Sequence, residues 1–305
     1  MPVTTTPISP LFGAELGGLD LERPIPVADA AAMRAALARH KLLRVHAPGL
    51  SPEGFIALAE ALGEIEPFFL SAYSLKSHPQ IYVLSNVREN GAPVGRDGAG
   101  FHWHSDHTFE EKPCAATLLH AVEAPDEGGD TLFVDMVDAY RRLSDEDKAL
   151  IEGRRAVHAY RKAEFAFSAE RDLDEAAAAR VERLKAARAA EDAARAPSAS
   201  ADASGARPPV AHPIARRHPA TGERALYLNQ EMTTGVEGMD EDEGRALLAR
   251  LLIHATPPEK IMRYRWTAGD VVIWDNAATM HAATYTDPEK RRVMHRLTIK
   301  GERPT

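Results

Sequence analysis

The sequence has a single cysteine, Cys114, among 305 residues. One cysteine excludes an intrachain disulfide and any thiolate cluster that holds zinc or an iron–sulfur centre. Long apolar runs are also lacking, and none approaches the roughly 20 residues that span a bilayer. The first residues, MPVTTTPISPLFGAEL, have neither the basic start nor the apolar core of a secretory signal. The sequence therefore predicts a cytoplasmic protein that does not cross a membrane.

An excess of basic residues is likewise missing. The chain has 37 Lys and Arg against 45 Asp and Glu, a net charge of −8, which argues against a general nucleic-acid binder. The hydrophobic content of 44% is ordinary for a soluble globular protein. A basic group near the C-terminus, with Lys290, Arg291, Arg292 and Arg296, is consistent with either a solvated face or a local anion site.

Hydrophobic periodicity predicts short strands that alternate with a few helices. The predicted helices cover 27–40, about 52–62 and about 240–254, and Ser51 is the expected N-cap of the second. The predicted strands cover 42–46, 81–87, 116–122, 130–136, 224–229, 262–266, 270–276 and 293–300. Because the first and last strands are expected to complete one sheet, the sequence favours a single domain over residues 1–305.

An alanine-rich segment interrupts this pattern at about 172–208. Residues 173–195 have strong intrinsic helix propensity, and the PSASADASGARPP stretch that follows is small, polar and rich in proline. We predict a helical insert with a mobile loop. It fits either a surface helix with a flexible exit or a lid over an active site.

Three histidines lie within FHWHSDHTFEE at residues 101–111. A catalytic non-haem iron(II) site needs two imidazoles and one carboxylate on one face. An H-x-D or H-x-E pair on a strand supplies two of these ligands, since positions i and i+2 point the same way. Among the thirteen histidines, only His104 has an acidic residue two places on, Asp106. Alone, this pair also fits a histidine that merely neighbours a carboxylate.

The second imidazole has two candidates, His281 and His295. His281 follows the apolar run VVIWDN, whereas His295 lies inside VMHRLT next to arginine. Arg292 and Arg296 are four apart on a predicted strand and are expected to share a face. Buried guanidinium groups require anionic partners, and they bind carboxylates bidentately. This combination indicates acidic small molecules at a metal site.

Several motifs together resemble the taurine dioxygenase / 2,4-dichlorophenoxyacetate dioxygenase (TauD/TfdA) family. The resemblance rests on WHSDHTF, GGDT at 128–131, WDN at 274–276, His281 and RRVMHR at 291–296. It extends from LFGAELGGLDL at 11–21 to the C-terminal strand, and so covers nearly the whole chain. Members of this family are Fe(II)- and 2-oxoglutarate-dependent oxygenases.

The resemblance implies a mainly β fold with peripheral helices, a double-stranded β-helix (jelly roll, cupin-like). It implies that His104, Asp106 and His281 hold Fe(II), and that Thr131 and Arg292 hold the distal carboxylate of 2-oxoglutarate. The expected co-substrates are 2-oxoglutarate and O2, and the expected co-products are succinate and CO2.

The substrate region departs from the pattern for taurine. Phe68 or Phe69 stands about where a histidine is expected, and Tyr73 is the remaining match. The resemblance leaves Arg296 either for an anionic group of the substrate or for assisting the co-substrate. His107 either contacts the substrate or faces solvent, and Asn229 is a further candidate contact. We therefore predict a small, more apolar acid, either a carboxylate or a sulfonate such as an aryloxyalkanoate or an alkylsulfonate.

Two other functions share parts of this pattern. A jelly-roll protein that only binds a small molecule would keep the barrel and have no oxygenase activity. Such a protein does not need all three metal-ligand candidates together with Arg292, so their presence argues against it. A metal-dependent hydrolase uses two histidines and a carboxylate, but gives no reason for Thr131 and two arginines. The expected partners are a small anionic organic substrate, with neither nucleic acid nor membrane, and assembly as a homodimer or homotetramer is left open.

Overall fold

A computed structural model of the chain describes residues 2–21, 23–69, 71–160 and 207–305. These residues form mostly strands with a few helices. The strands, in chain order, are β1 (Thr4–Pro7), β2 (Ala14–Gly17), β3 (Leu42–His46), β4 (Ser74–Leu75), β5 (His78–Ser85), β6 (Arg88–Glu89), β7 (Ala92–Pro93), β8 (Ala116–Glu123), β9 (Thr131–Asp135), β10 (Arg155–His158), β11 (Val210–Pro213), β12 (Ala215–Arg217), β13 (Arg224–Leu226), β14 (Thr233–Val236), β15 (Met262–Tyr264), β16 (Asp270–Asp275), β17 (Thr279–Ala283) and β18 (Val293–Ile299). The helices are α1 (Val27–His40), α2 (Pro52–Glu60), α3 (Met136–Arg141), α4 (Asp145–Ile151) and α5 (Glu241–Ala255).

The largest sheet has eight strands in the order β1-β2-β3-β16-β8-β18-β5-β4. Its pairs are antiparallel except for β2 with β3. A second, three-stranded sheet has the order β15-β9-β17. Strands from the N-terminal and C-terminal thirds are neighbours in the large sheet, as the sequence predicted.

Apolar residues alternate between the two faces of the large sheet, as the period of two along a strand requires. Leu119 and Trp274 pack toward Phe133 of the second sheet. Their chain neighbours Leu118 and Ile273 pack instead into a cluster that contains residues of α1 and α2. The two sheets therefore face each other, and helices cover the outer face of the large one.

The outer face of the second sheet is also covered. Leu132 and Val134 of β9 lie in one buried cluster with residues of α3 and α5. One of the metal-ligand candidates, His281, lies on β17 of the second sheet, and its ring packs against Phe133 of that sheet and Trp274 of the large one. A layered core of this kind holds the strands, and hence the side chains at their ends, in fixed positions.

Most local predictions agree with the structure. Helix α1 covers the predicted residues 27–40, and α2 begins at Pro52 with the Ser51 hydroxyl accepting a hydrogen bond from the Gly54 N–H. Predicted strands and helix ends differ from the observed ones by a few residues, as at 224–229, where β13 ends at Leu226.

The predicted helix at 173–195 and nearly all of the insert at 172–208 lie outside the described residues. Among the helices in the described ranges, none has the length and apolar character required to cross a membrane.

Candidate metal centre

Two of the predicted metal ligands are joined through their main chains. The His104 N–H donates to the His281 carbonyl over 2.9 Å, and the His281 N–H donates to the His104 carbonyl over 2.8 Å. This mutual pair is an isolated antiparallel bridge. It brings together residues that are 177 positions apart in the sequence and places their rings 4.1 Å apart, centroid to centroid.

The predicted third ligand completes the cluster. Asp106 Oδ1 lies 3.8 Å from His104 Nε2, and Asp106 Oδ2 lies 3.7 Å from His281 Nε2. Donor atoms at about 2.0–2.2 Å from one metal ion lie up to about 4.4 Å apart, so both separations fit a shared ion. Within the described residues, this is the group of histidine, cysteine and acidic side chains close enough to hold a metal. The structure thus brings His104, Asp106 and His281 together.

One local expectation about these ligands is wrong. The H-x-D pair was expected to lie on a strand, but His104 is in a single bridge and Asp106 begins a turn. The turn continues through His107, whose φ of +57° is left-handed. Asp106 therefore reaches the histidines through the geometry of a turn, and not through strand alternation.

The two imidazoles are oriented by different contacts. His104 Nδ1 lies 2.7 Å from the His102 carbonyl, so Nδ1 carries the proton and Nε2 is free to bind a metal. The His281 ring instead packs between Phe133 and Trp274, at centroid distances of 5.9 and 4.6 Å. Burial, together with His104, lowers the pKa of His281 well below the usual histidine value, so it remains a neutral ligand.

The carboxylate of Asp106 is buried, and each of its two oxygens accepts a hydrogen bond. Thr117 donates its hydroxyl hydrogen to Oδ2 over 2.7 Å, and Arg296 Nη2 donates to Oδ1 over 2.7 Å. Burial alone would raise the pKa of Asp106, but the Arg296 guanidinium outweighs it and holds the pKa well below the ordinary aspartate value. The carboxyl group of Asp106 is therefore anionic at neutral pH, as a metal ligand requires.

Arg296 thus has a partner that the sequence did not indicate. The prediction of a strand face shared with Arg292 needs correction, because β18 begins at Val293 and its pairing with β8 is irregular there. Arg296 lies on the strand and contacts Asp106, whereas Arg292 precedes the strand. The two arginines therefore lie in different environments and are expected to have different roles.

Thr131 lies near the metal-ligand candidates along the paired strands, and Arg292 lies against Gly129, two residues before Thr131. Thr131 is opposite Ala283 in the pairing of β9 with β17, two positions along from His281. The Ala283 N–H donates to the Gly100 carbonyl over 2.7 Å, and a Cβ on Gly100 would be 3.2 Å from His104 Cε1. Contacts therefore run without a break from Thr131 to the histidines.

The polar groups of Thr131 and Arg292 are available for an anion. The Thr131 hydroxyl accepts from Trp266 Nε1 over 3.0 Å, which leaves its hydrogen to donate. Arg292 Nε is buried without a hydrogen-bond partner within the described residues, and the carboxylates of Asp97 and Asp130 lie close enough to act on the charge of the guanidinium. Burial lowers the pKa of Arg292 to about 10, so the guanidinium is charged at neutral pH and requires an anionic partner.

Gly129 makes room for the Arg292 side chain. It has a φ of +68° and follows Gly128, whose φ is +75°. A Cβ on Gly129 would lie 3.0 Å from Arg292 Cδ and 3.1 Å from its Nε. The GGDT motif therefore provides both Thr131 and the space that Arg292 occupies.

Gly129→Ala is expected to weaken 2-oxoglutarate binding about tenfold, equivalent to about 1.4 kcal/mol, because the added methyl displaces Arg292. The left-handed φ also costs roughly 1–2 kcal/mol of stability. Gly222→Ala is the matched control, since Gly222 has a φ of +73° and no atom within 4 Å of an added Cβ. Calorimetric titration and thermal unfolding measure the two effects. Equal 2-oxoglutarate affinity in both variants contradicts the prediction.

Three of the candidate substrate residues, Arg296, His107 and Tyr73, contact or belong to one group of rings. This group, here called the aromatic wall, consists of Phe68, Phe69, Tyr73, Tyr82, Phe109 and Tyr160. Ring contacts connect its members at centroid distances of 4.6 to 6.3 Å. Tyr73 touches Tyr82 at the outer end, whereas Phe68 lies 5.4 Å from the His107 ring and 5.5 Å from Arg296 Cζ. The wall therefore reaches from the metal-ligand candidates outward.

His107 is buried, with 7% of its surface exposed. Its Nε2 has no hydrogen-bond partner in the described part of the chain, and its Nδ1 lies 3.9 Å from Glu66 Oε2. Burial and the nearby Arg296 lower the pKa of His107 to about 3. A neutral imidazole whose Nε2 has no partner can donate a hydrogen bond to a ligand or accept one from it.

Asn229 does not fit its predicted contact with substrate. Its amide nitrogen donates to the Ser105 carbonyl and the Thr108 hydroxyl, while its oxygen accepts from the Glu231 and Met232 N–H groups. These four bonds use the full capacity of the amide. We therefore assign Asn229 to holding the turn that carries Asp106.

Sequence reasoning missed Thr117 and assigned no role to Asn276. Asn276 donates from Nδ2 to the Thr117 oxygen over 2.9 Å and accepts the Asp106 N–H over 3.2 Å. Thr117 and Asn276 are fully buried. The WDN motif was the available signal for Asn276, but Thr117 lies in an apolar strand without any distinguishing pattern.

Comparisons with known proteins agree with this geometry. The family model described as "Taurine catabolism dioxygenase TauD, TfdA family" matches residues 4–298. An alpha-ketoglutarate-dependent 2,4-dichlorophenoxyacetate dioxygenase of Cupriavidus pinatubonensis is 30% identical over 98% of both chains. An alpha-ketoglutarate-dependent sulfate ester dioxygenase of Pseudomonas putida is 32% identical over 98% of this chain and 89% of its own. The solved structure of AAD-2 with Mn(II) and N-oxalylglycine has a TM-score of 0.76 and 27% identity, over 100% of this chain and 99% of that chain.

Proposed function

The chain belongs to the taurine catabolism dioxygenase TauD, TfdA family, and from this premise we propose how its residues bind the cofactors and the substrate. It is a 2-oxoglutarate-dependent non-haem iron dioxygenase that uses Fe(II), 2-oxoglutarate and O2. The substrate is a small organic molecule. The relatives favour this function over a hydrolase or a non-catalytic binding protein.

We assign Fe(II) to His104, Asp106 and His281. The observation that carries this assignment is the cluster of two imidazoles and one carboxylate, which is the donor set of a non-haem iron(II) oxygenase. When bound, Fe(II) supplies the activation of O2, coupled to conversion of 2-oxoglutarate to succinate and CO2. The protein contributes the ligand geometry and a site shielded from water.

We assign the distal carboxylate of 2-oxoglutarate to Arg292 and Thr131. Arg292 Nε is buried without a hydrogen-bond partner in the described residues, and the hydroxyl hydrogen of Thr131 is free to donate. A carboxylate between them accepts charge-assisted hydrogen bonds from both sides. Binding of 2-oxoglutarate would thus supply the hydrogen-bond partner that Arg292 Nε lacks.

We assign the prime substrate to the space between Arg296, His107 and the aromatic wall. One Nη2 contact of Arg296 goes to Asp106, which leaves other N–H groups of the guanidinium for a carboxylate or sulfonate. Phe68 packs over both Arg296 and His107 and offers an apolar surface to the rest of the molecule. Tyr73 is more distant and would contact the outer end of a longer substrate. An aryloxyalkanoate or alkylsulfonate suits this combination.

The wider architecture is also part of the proposal. Two facing sheets with helices outside suggest a double-stranded β-helix, or jelly roll, formed by residues 1–305 as one domain. The full-length similarity to AAD-2 supports this architecture. A cytoplasmic location and a homodimer or homotetramer remain predictions from the sequence.

An anaerobic experiment tests the proposed function. Adding Fe(II) and then 2-oxoglutarate should produce a weak visible charge-transfer band, because the co-substrate binds directly at the iron. In air, a panel of sulfonates, aryloxyacetates and sulfate esters should include acids that stimulate succinate release. Omission of iron and omission of the acid are the matched controls. Iron binding without a band, together with no acid-dependent succinate, contradicts the proposal.

A further inference from the structure

Asp106 is held by a chain of two buried polar side chains that begins at the WDN motif. Asn276 donates through Nδ2 to the Thr117 oxygen, and Thr117 donates through its hydroxyl to Asp106 Oδ2. A hydroxyl has one hydrogen. Because its oxygen already accepts from Asn276, the Thr117 hydrogen is directed toward the carboxylate.

Asn276 contacts Asp106 a second time, through the main chain. Its Oδ1 accepts the Asp106 N–H over 3.2 Å. One amide therefore fixes the backbone of Asp106 directly and its carboxylate through Thr117. These two contacts limit both the position and the rotation of the side chain.

The two side chains come from rigid parts of the fold. Thr117 lies on β8, which pairs with β16 on one side and β18 on the other. Asn276 follows β16 directly and precedes β17, the strand that carries His281. Asn276 and Thr117 are each 0% exposed. The arrangement ties the turn of Asp106 to the same strands that position the distal histidine.

We infer that Thr117 and Asn276 are positioning residues that hold the Asp106 carboxylate in the orientation required for metal binding. This inference rests on the proposed function, because it assumes that Asp106 is a metal ligand. Groups that hydrogen-bond to ligating side chains orient them, and their loss typically lowers metal affinity about 10- to 100-fold. Thr117 thereby acts on the metal through Asp106 and does not touch it.

Thr117→Val tests the inference, since valine keeps the shape of threonine and removes the hydroxyl. The dissociation constant for Co(II), read from its visible absorption, should rise about 10- to 100-fold, and the Co(II) band should change shape. Thr117→Ser restores the donor and should regain most of the affinity. The melting temperature of the metal-free protein is measured for each variant, so that a loss of Co(II) affinity can be distinguished from a loss of stability.

Thr298→Val is the matched control. Thr298 lies opposite Thr117 on β18, is also buried, and donates its hydroxyl hydrogen to the Glu66 carbonyl. It should lose comparable stability and retain Co(II) affinity. If Thr117→Val does not fold, Thr117→Cys gives the same comparison with a weaker donor.

The outcomes separate this inference from the proposed function. Normal Co(II) affinity and an unchanged spectrum in a folded Thr117→Val protein overturn the positioning role. Equal loss of affinity in Thr298→Val also overturns it, because the effect then follows general stability. If the unsubstituted protein binds neither Co(II) nor Fe(II), the metal assignment itself is wrong.

Discussion

Asp106→Ala is expected to abolish Fe(II) binding and turnover. The substitution removes the anionic ligand of the three, which should weaken binding by more than the about 10- to 100-fold that the loss of a supporting contact causes. It also leaves Arg296 buried without its carboxylate partner, and breaking such a pair costs about 3–5 kcal/mol of folding stability. Equilibrium dialysis of Fe(II) under anaerobic conditions and chemical denaturation measure the two losses.

Two further variants separate ligation from stability. Asp106→Asn keeps the size of the side chain and an acceptor for Thr117, so it should fold better than the alanine variant and still bind Fe(II) poorly. Asp270→Asn is the matched control, because Asp270 is 1% exposed and pairs with Arg44 and His46 away from the candidate site. It should lose stability and keep Fe(II). Unchanged Fe(II) affinity in a folded Asp106→Ala protein contradicts the ligand assignment.

Arg292→Gln is expected to weaken 2-oxoglutarate binding about 30- to 1000-fold. Loss of a bidentate, charge-assisted contact is equivalent to about 2–4 kcal/mol. Fe(II) affinity should be unaffected, since Arg292 does not contact the three ligand candidates. Titration of the visible band of the Fe(II) protein with 2-oxoglutarate, without oxygen, gives the dissociation constant.

The stability of the same variant provides an independent measurement. A buried guanidinium without a carboxylate is costly, so the ligand-free Arg292→Gln protein should be at least as stable as the unsubstituted one. Added 2-oxoglutarate should raise the melting temperature of the unsubstituted protein much more than that of the variant. This exchange of stability for binding is common at functional sites.

Arg291→Gln is the control for the preceding experiment. Arg291 is adjacent in sequence, exposed, and paired with both carboxylate oxygens of Glu123 at 2.7 and 2.9 Å. Exposed pairs contribute little, so this variant should retain 2-oxoglutarate affinity. An unchanged requirement for 2-oxoglutarate in Arg292→Gln, or an equal loss in Arg291→Gln, contradicts the assignment.

The sequence singles out the three residues that the structure brings together, because their pattern is rare. Among thirteen histidines, the acidic residue two places on singles out His104, and the order of motifs indicates His281. The geometry behind the H-x-D pair was nevertheless wrong, since a turn replaces the expected strand. A spacing of two residues can bring side chains together in either conformation, so the spacing alone does not identify the backbone.

The residues that hold Asp106 in place, Thr117 and Asn276, are harder to predict. Thr117 lies in the apolar run ATLLHAV, where a threonine is ordinary for a strand. Its role depends on Asn276, 159 positions later, and no local pattern connects the two. Asn229 is the opposite case, because its motif predicts a contact with substrate that the structure does not support. The hydrogen-bonding groups of its amide are occupied by the turn around Asp106 and by neighbouring main chain.

The mutual main-chain bridge between His104 and His281 has a consequence for how the metal arrives. It uses backbone N–H and carbonyl groups alone, so the main chains that carry the two imidazoles are joined without a bound ion. Zinc fingers, by contrast, fold only as they bind their metal. Iron should therefore load and unload without refolding, and chelation should leave these two amides protected against hydrogen exchange. Such a preformed site allows a depleted enzyme to regain activity as fast as iron is supplied.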